Sequence, residues 1–171
     1  MDMASTEKKL REARFFLDKM SEHERMAVQH KEPFEFYLSA FLSAGRTVDY
    51  RLRHEQPATY PTWRTKWNTT LANAEERLIT FMVDDRNVEV HASGSSRTIK
   101  TENRELGAGT YKFASGTMEV FGPSWVHPLA IIPVLAYSFT IDGAERNATD
   151  VCAEYLSLLE RMVEAFRADR L

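Results

Sequence analysis

The stretch Asp84-Asp85-Arg86-Asn87-Val88-Glu89-Val90-His91 divides the chain into two parts of different composition. Before it, apolar residues recur at the three- and four-residue steps that predict packed helices. After it come six of the seven glycines, between Gly94 and Gly143, and short runs in which apolar and polar residues alternate as they do in strands. The stretch therefore marks the point at which a helical protein receives a β insertion.

The same stretch contains side chains suited to phosphate chemistry. Arg86 is permanently charged and presents a planar set of donors that matches phosphate oxygens. His91 can take up and release a proton near neutral pH, and Asn87 adds an amide between them. The three residues are therefore candidates for a catalytic site that neutralises charge and moves protons. The alternative interpretation is a surface arginine at a helix end and a histidine bonded to a backbone carbonyl.

Three apolar stripes precede this motif and predict three long helices. The first helix is expected to be capped by Ser5 or Thr6 and to end near Val28, with the stripe Leu10, Ala13, Phe16, Leu17 and Met20. The second opens at Pro33 and has the stripe Phe34, Leu38, Phe41, Leu42, Gly45, Val48 and Leu52. The third begins near Thr62 and runs as one helix to the motif, with the stripe Trp63, Trp67, Leu71, Ala74, Leu78 and Phe81. The two tryptophans are interpreted as core residues, although a base-stacking platform is the alternative.

Gly45 and Asp49 both lie on the apolar face of the second helix, and each leads to a further expectation. Gly45 lacks a side chain in the middle of the stripe, so it is expected to let another helix approach closely. Asp49 is an acid on an apolar face and needs a partner, for which we expect an arginine of a neighbouring helix. For Arg46, which lies beside them, a place at the border of the site and a structural role are equally supported.

Basic residues gather on both sides of the linker 55–61, which contains two prolines. The five that we consider candidate phosphate-contacting residues are Arg46, Arg51, Arg53, Arg64 and Lys66, against only two acids, Asp49 and Glu55. Because the whole chain carries a net charge of -3, any contact with a nucleic acid must be local. An ordinary solvated face is the alternative.

The second part of the chain predicts a small antiparallel β insertion, at about 95–142, followed by a last helix at about 147–168. Residues 110–113 and 118–121 alternate as a hairpin around Gly116, and residues 131–141 form another strand in which Pro133 requires an edge or a bulge. Asp142-Gly143 is expected to turn the chain back towards the helix, which Asn147 or Thr149 caps. The apolar stripe of that helix is Val151, Tyr155, Leu158, Leu159, Met162 and Phe166, and Cys152 at its edge is interpreted as a small buried residue and not as a nucleophile. The insertion either forms one wall of the cleft, through Arg97, Lys100, Arg104 and Lys112, or only covers the open side of the bundle.

The motif also resembles a known family. Arg86-Asn87-x-x-x-His91, late in a helical segment, is similar to the R-x4-6-H signature of the HEPN superfamily, and the run 36–46 (FYLSAFLSAGR) is similar to the second helix of its bacterial members. The resemblance implies a mainly α, antiparallel helical bundle, a symmetric homodimer and, in active members, metal-independent RNA cleavage. Toxin–antitoxin members often extend the signature to H-x-Y, whereas this chain has Ser93 at the third position.

Composition excludes several other classes. The single cysteine, Cys152, cannot form an internal disulfide, and the longest apolar run, 130–136, is too short to span a bilayer. With no apolar signal-like segment near the start, we expect one domain over residues 1–171 in the cytoplasm, without a membrane partner. No phosphate-binding glycine loop, nucleophile turn or zinc spacing occurs among these residues, so no metal and no cofactor are expected.

Three functions from different classes remain open. The first is an endoribonuclease, a toxin or phage-defence component, in which His91 assists attack by the RNA 2′-hydroxyl and Arg86 stabilises the charge that develops; an antitoxin or other regulatory protein would be its partner. The second is a catalytically inactive HEPN-like module that binds a nucleotide or a protein. The third is a scaffold in which the β insertion is the functional part.

Overall fold

The computed structural model describes residues 3–26, 29–91, 97–113, 116–123 and 128–169, except for the side chains of residues 86–91 and 112–113. The described residues form a mainly helical protein with a small antiparallel sheet. The helices are α1 (Ala4–Glu24), α2 (Lys31–Glu55), α3 (Tyr60–Asn68), α4 (Asn73–His91) and α5 (Ala148–Ala168). The strands, all between α4 and α5, are β1 (Thr98–Leu106), β2 (Gly109–Phe113), β3 (Gly116–Val120), β4 (Ala130–Ile141) and β5 (Ala144–Asn147). In this part of the chain, none of the helices combines the length and the apolar character needed to cross a membrane.

The N-terminus of α1 is capped by the far end of α2. The Glu55 carboxylate accepts hydrogen bonds from the Ser5 and Thr6 amides, at 2.8 and 3.1 Å, and from the Thr6 hydroxyl, at 2.6 Å. A helix begins with amides that have no partner inside the helix, and an acidic side chain satisfies them well. The prediction that Ser5 or Thr6 caps α1 is therefore wrong, because both residues lie inside the helix and receive their cap from Glu55.

The other end of α1 is held by the sheet. The helix ends at Glu24, earlier than the predicted Val28, which itself lies outside the described residues. Arg104 of β1 donates to the Glu24 carbonyl at 2.7 Å, and the Gln29 amide joins the same carbonyl, at 2.8 Å, to the Leu135 N–H, at 2.6 Å. A cation near the last carbonyls of a helix stabilises its C-terminus, so the sheet supplies the reason why α1 ends where it does.

Most of the buried core residues belong to α2 and α5, and α1, α3, α4 and β4 complete the core. All seven residues of the predicted α2 stripe are buried, which confirms the predicted face of the helix. A Cβ atom added at Gly45 would lie 2.9 Å from Cε1 of Tyr155 on α5. The close approach expected at Gly45 is therefore confirmed, and α5 is the helix that approaches.

The predicted third helix is two helices, which corrects the single helix expected from its stripe. Thr69 and Thr70 turn their hydroxyls back to the carbonyls of Lys66 and Trp67, each at 2.7 Å. Such bonds offer the backbone an alternative to the helical ladder. The predicted stripe is only partly kept across the turn, because Trp63, Trp67 and Leu78 are buried, whereas Leu71 and Phe81 are half-buried and Ala74 is exposed. The tryptophans are core residues, as predicted.

The main sheet has the order β1-β4-β5 and is antiparallel throughout, and it packs on the helices through aromatic rings. Tyr137 of β4 stacks on Phe34 of α2 with 3.6 Å between ring centroids, and Phe139 meets Phe81 of α4 at 5.2 Å. The predicted hairpin forms a second sheet, in which β2 pairs with β3 from Gly109↔Val120 to Phe113↔Gly116.

Two local features of the insertion follow from residue chemistry. Pro133 lies in the half of β4 that pairs with β1 alone, since β5 pairs only with residues 138–141. Its missing N–H therefore falls at a sheet edge, as predicted. Asp142 and Gly143 both have positive φ, 53° and 78°, as a two-residue hairpin turn requires. The turn leads into β5 and not directly into the last helix, which corrects the prediction for that segment.

Candidate nucleic-acid interface

A narrow crevice lies where α2, α3, α4 and α5 meet. The residues that line it are Arg46, Asp49, Arg64, Trp67, Ile79, Val83, Tyr155, Leu158, Leu159 and Met162. Two of the five basic residues proposed from sequence, Arg46 and Arg64, therefore meet in one place, and an aromatic ring lies beside them.

Arg64 is held in position by four side chains. Its guanidinium lies 3.3 Å from the Asp49 carboxylate, donates to the Tyr60 hydroxyl at 3.2 Å, and lies over the Trp67 ring at 4.7 Å from the centroid. It also bonds the side chain of Asn68. The arginine partner that the sequence predicts for Asp49 is thus found on α3. Flat guanidinium groups stack well on aromatic rings, so this cation is preorganised.

Two tyrosines complete the polar side of the crevice. The Tyr60 hydroxyl donates a 2.5 Å hydrogen bond to Asp49. Burial, with the Asp49 charge second, raises the pKa of Tyr60 far above its ordinary range. Burial, again followed by the Asp49 charge, raises the pKa of Tyr155 in the same direction. Both phenols therefore stay protonated near neutral pH and do not serve as bases there.

The remaining basic candidates do not join this crevice. Lys66 forms an exposed pair with Asp169 at 2.9 Å, and Arg51 is half-buried. Arg53 is exposed two helical turns beyond Arg46 on the same side of α2. The sequence thus identified Arg46 and Arg64 as neighbours in space, but the five residues do not form one patch.

The motif lies on α4, further along the helix than the residues that line the crevice. Ile79 and Val83 line the crevice, and α4 continues without a break to His91. Since an α-helix turns by about 100° per residue, positions 86 and 87 fall on the same side as Ile79 and Val83, whereas position 91 lies about 140° around the axis from position 86. The side chains of Arg86, Asn87 and His91 lie outside the described part of the structure.

The residue just before the motif belongs to the core. Asp85 is buried, at 2% exposure, while its neighbour Asp84 is exposed. Burial raises the pKa of the Cys152 thiol well above its ordinary value, and the charges of Asp85 and Glu24 raise it further. Cys152 is therefore an inert buried residue, as its place at the edge of the α5 stripe predicted.

Basic residues of the insertion have structural partners. Arg97 pairs with Glu35 of α2, Lys100 pairs with Glu145 of β5, and Arg104 binds the end of α1. These contacts favour the alternative in which the main sheet covers the open side of the bundle, and not the one in which it forms a wall of the cleft. The side chain of Lys112, which that prediction also used, lies outside the described part of the structure.

A larger open cavity, of about 530 Å³, lies between α4, β5 and α5. Its rim is formed by two ion pairs, Arg146 with Glu154 at 2.5 Å and Arg161 with Glu75 at 2.7 Å. None of the site residues proposed from sequence lines it. The crevice is much smaller, about 30 Å³, but Arg46 and Arg64 line it, so it remains the candidate site.

Sequence reasoning missed the two tyrosines of the crevice. Tyr60 was assigned to the linker, although its spacing of four residues from Arg64 is the spacing of a helical pair. Tyr155 was assigned to the α5 stripe, where nothing in the sequence distinguishes it from a core residue. Among the residues with described side chains, no three His, Cys, Asp or Glu groups come together as a set of metal ligands.

Compared with known proteins, the chain matches no family model, no curated protein and no solved structure.

Proposed function

We propose that this protein is a metal-independent endoribonuclease of the HEPN kind, serving as a toxin or phage-defence component. One observation carries the proposal: α4 runs unbroken from the crevice of Arg46 and Arg64 to Arg86 and His91. Phosphodiester transfer requires cationic side chains that hold the phosphate and a residue that transfers protons. In this proposal Arg46 and Arg64 supply the first, and His91 at the end of the helix supplies the second. The resemblance of the motif to the R-x4-6-H signature supports the same reaction.

The reaction needs no nucleophile from the protein. The RNA 2′-oxygen forms a bond to the adjacent phosphorus as the bond from phosphorus to the 5′-oxygen breaks. His91 accepts the proton of the 2′-hydroxyl, an acid returns a proton to the leaving 5′-oxygen, and Arg86 stabilises the charge on the phosphate. Asn87 holds a phosphate oxygen or orients His91. The products are a 2′,3′-cyclic phosphate and a free 5′-hydroxyl.

A homodimer supplies the second proton-transfer group. Each chain offers one suitable histidine, and the reaction uses a base for attack and an acid for departure. Positions 86 and 91 also lie about 140° apart around α4. A two-fold axis beside the motif lets each copy complete the site of its mate.

Arg46 and Arg64 are proposed to bind the RNA backbone next to the reacting phosphate. Arg46 is exposed at the rim of the crevice, so it can reach a phosphate directly. Arg64 is already paired with Asp49, and this pairing favours the second candidate function, a catalytically inactive module in which the arginines are structural and the bound partner is a nucleotide or a protein.

Cleavage of RNA by matched variants of α4 separates the two functions. Purified wild-type protein, Arg86→Ala, His91→Ala and the control Arg77→Ala are incubated with total RNA. Arg77 is an exposed arginine of the same helix that pairs with Asp142 at 2.8 Å. We expect wild type and Arg77→Ala to cleave and the other two to lose at least about a hundredfold in rate. Equal cleavage by all four, or none by wild type, contradicts the proposal.

A further inference from the structure

The outer face of α2 exposes two large aromatic side chains. Phe36 and Tyr50 are 63% and 62% exposed, although most of α2 is packed in the core. They lie 14 positions apart, which is close to four helical turns, so both point to the side of α2 opposite its buried stripe. Single exposed apolar residues are ordinary, but two on one stripe of one helix form a surface that favours burial.

The stripe between the two rings is made of small side chains. Ala40, Ser43 and Thr47 lie there, and the Thr47 hydroxyl is satisfied by the Ser43 carbonyl at 2.7 Å. Together with the rings they follow the three- and four-residue steps of a helix–helix seam. A second helix can therefore approach closely at the middle of the stripe and pack against one ring at each end.

The spacing is symmetrical about Ser43. Phe36 lies seven residues before it and Tyr50 seven residues after it. If two copies of α2 cross in antiparallel orientation at Ser43, Phe36 of each copy meets Tyr50 of the other. A patch that is complementary to itself under a two-fold rotation is what a symmetric dimer requires.

The charges at the two ends of the stripe agree with the same arrangement. Glu32 is exposed at the start of α2, and Arg53 and His54 are exposed near its end. No ion pair to Glu32 or Arg53 occurs in the described part of the chain. Antiparallel crossing at Ser43 brings Glu32 of one copy beside Arg53 and His54 of the other, twice in the dimer. It also sets the positive end of each helix dipole beside the negative end of its mate.

We propose that a second copy of this chain binds this face, by antiparallel pairing of the two α2 helices across a two-fold axis at Ser43. The axis runs perpendicular to the plane of the paired helices, so it leaves the two copies of Arg46 on the same side of the dimer. The inference rests on the proposed function, which requires a dimer. It adds which face of the protein forms that dimer. Because its test reads mass and cross-linking, its failure is distinguishable from a failure of RNA cleavage.

Sedimentation of three charge-insertion variants tests the interface. Wild type at micromolar concentration is expected to sediment at twice the 19.7 kDa of one chain. Phe36→Glu and Tyr50→Glu are each expected to weaken dimerisation at least about tenfold. Phe15→Glu is the matched control, since Phe15 is 53% exposed on the neighbouring helix α1 and lies outside the stripe; it is expected to leave the dimer intact.

A cysteine on the axis gives a second and independent measurement. Cys152 is buried, so Ser43→Cys adds a single accessible thiol, and the two copies of it face each other only if the helices cross there. Mild oxidation is expected to convert most of Ser43→Cys to a covalent dimer, and to convert little of a Thr80→Cys control on α4. A monomeric wild type overturns the proposal. So does a dimer that survives both glutamate substitutions and gives no more cross-linking from Ser43→Cys than from the control.

Discussion

The guanidinium of Arg64 lies 3.3 Å from the carboxylate of Asp49, which joins α3 to the middle of α2 at the bottom of the crevice. Tyr60 donates to the same carboxylate at 2.5 Å. The side chains of Asp49 and Arg64 are only 25% and 20% exposed, so neither charge is well solvated. This contact orders the cationic wall of the proposed site and also stabilises the fold.

Asp49→Ala is expected to destabilise the protein by about 2 kcal/mol, because it leaves a half-buried arginine and a tyrosine hydroxyl without their acceptor. The control Asp169→Ala removes an exposed partner of Lys66 and is expected to cost less than about 1 kcal/mol. Urea unfolding at pH 7 measures both. Equal losses for the two variants would show that the Asp49 pair is only a surface pair.

Glu55→Gln is expected to destabilise the protein by about 1 kcal/mol at pH 7, as loss of a good helix cap does. Burial raises the pKa of Glu55, but hydrogen bonds from Thr6 and Ser5 outweigh it, so the pKa lies below 4.5. The unfolded chain then takes up the proton first, and the stability that the carboxylate contributes is lost as pH falls below 4.5.

The difference between wild type and Glu55→Gln should accordingly shrink on acidification, when both carry a neutral side chain. Urea midpoints at pH 7, 5 and 3.5 report it. Glu76→Gln, at an exposed position of α4, is the control and should match wild type at each pH. A Glu55→Gln difference that stays constant down to pH 3.5 would mean that Glu55 does not cap α1 as a carboxylate.

His23 is expected to make the contact between α1 and the sheet sensitive to acid. It is 4% exposed, its ring lies 6.0 and 6.5 Å from those of Phe34 and Tyr137, and its Nδ1 has no hydrogen-bond partner. Burial lowers the pKa of His23 below 6.5, the His30 carbonyl opposes that shift, and the charge of His30 adds to it. The unfolded chain therefore binds the proton more readily, and stability falls as pH drops below 6.5.

His23→Leu should remove this part of the pH dependence. The charged and titratable groups around the site are Glu24, His30, Glu35, Arg97, Arg104 and Tyr137, and they stay in place in the variant. We expect wild type to lose more stability than His23→Leu between pH 7.5 and 5.5, measured by urea unfolding. Parallel pH profiles for the two proteins would contradict a buried neutral histidine.

The β2–β3 hairpin can be removed without disturbing the main sheet. Leu106 is paired with Ala130 in the β1–β4 register, so residues 107–129 can be replaced by Asn-Gly, a turn that suits a two-residue hairpin. Because the basic residues of the main sheet already have structural partners, we expect the shortened protein to fold and cleave RNA at the same overall rate. A changed choice of cleavage sites would show that the hairpin selects the substrate.

Periodicity predicted most of the helical packing, since apolar stripes are local signals that depend on each helix alone. It identified the buried faces of α2 and α5, the close approach at Gly45 and an arginine partner for Asp49. It failed where the cause lies far away in the chain. Glu55 caps α1 across about fifty residues of sequence, and Arg104 ends α1 from a strand whose polar sequence gives little sign of pairing.

Prediction of the candidate site from the sequence was limited for a similar reason. Spacing identified Arg46 and Arg64, which meet in the crevice, but it grouped them with Arg51, Arg53 and Lys66, which do not line it. Charge counts along a sequence do not reveal which side of a helix is covered. Tyr155 was missed for the reverse reason, because a buried tyrosine beside a polar crevice has the same spacing as one in the core.

The chemistry of the cleaved ends tests the central claim most directly. Purified protein is incubated with RNA in excess EDTA, and the 3′ ends of the products are identified by mass spectrometry. Attack by the 2′-hydroxyl predicts 2′,3′-cyclic phosphates at undiminished rate, and no cleavage at a site whose 2′-hydroxyl is replaced by hydrogen. Products with free 3′-hydroxyls, or cleavage that stops in EDTA and returns with added metal, would contradict the account.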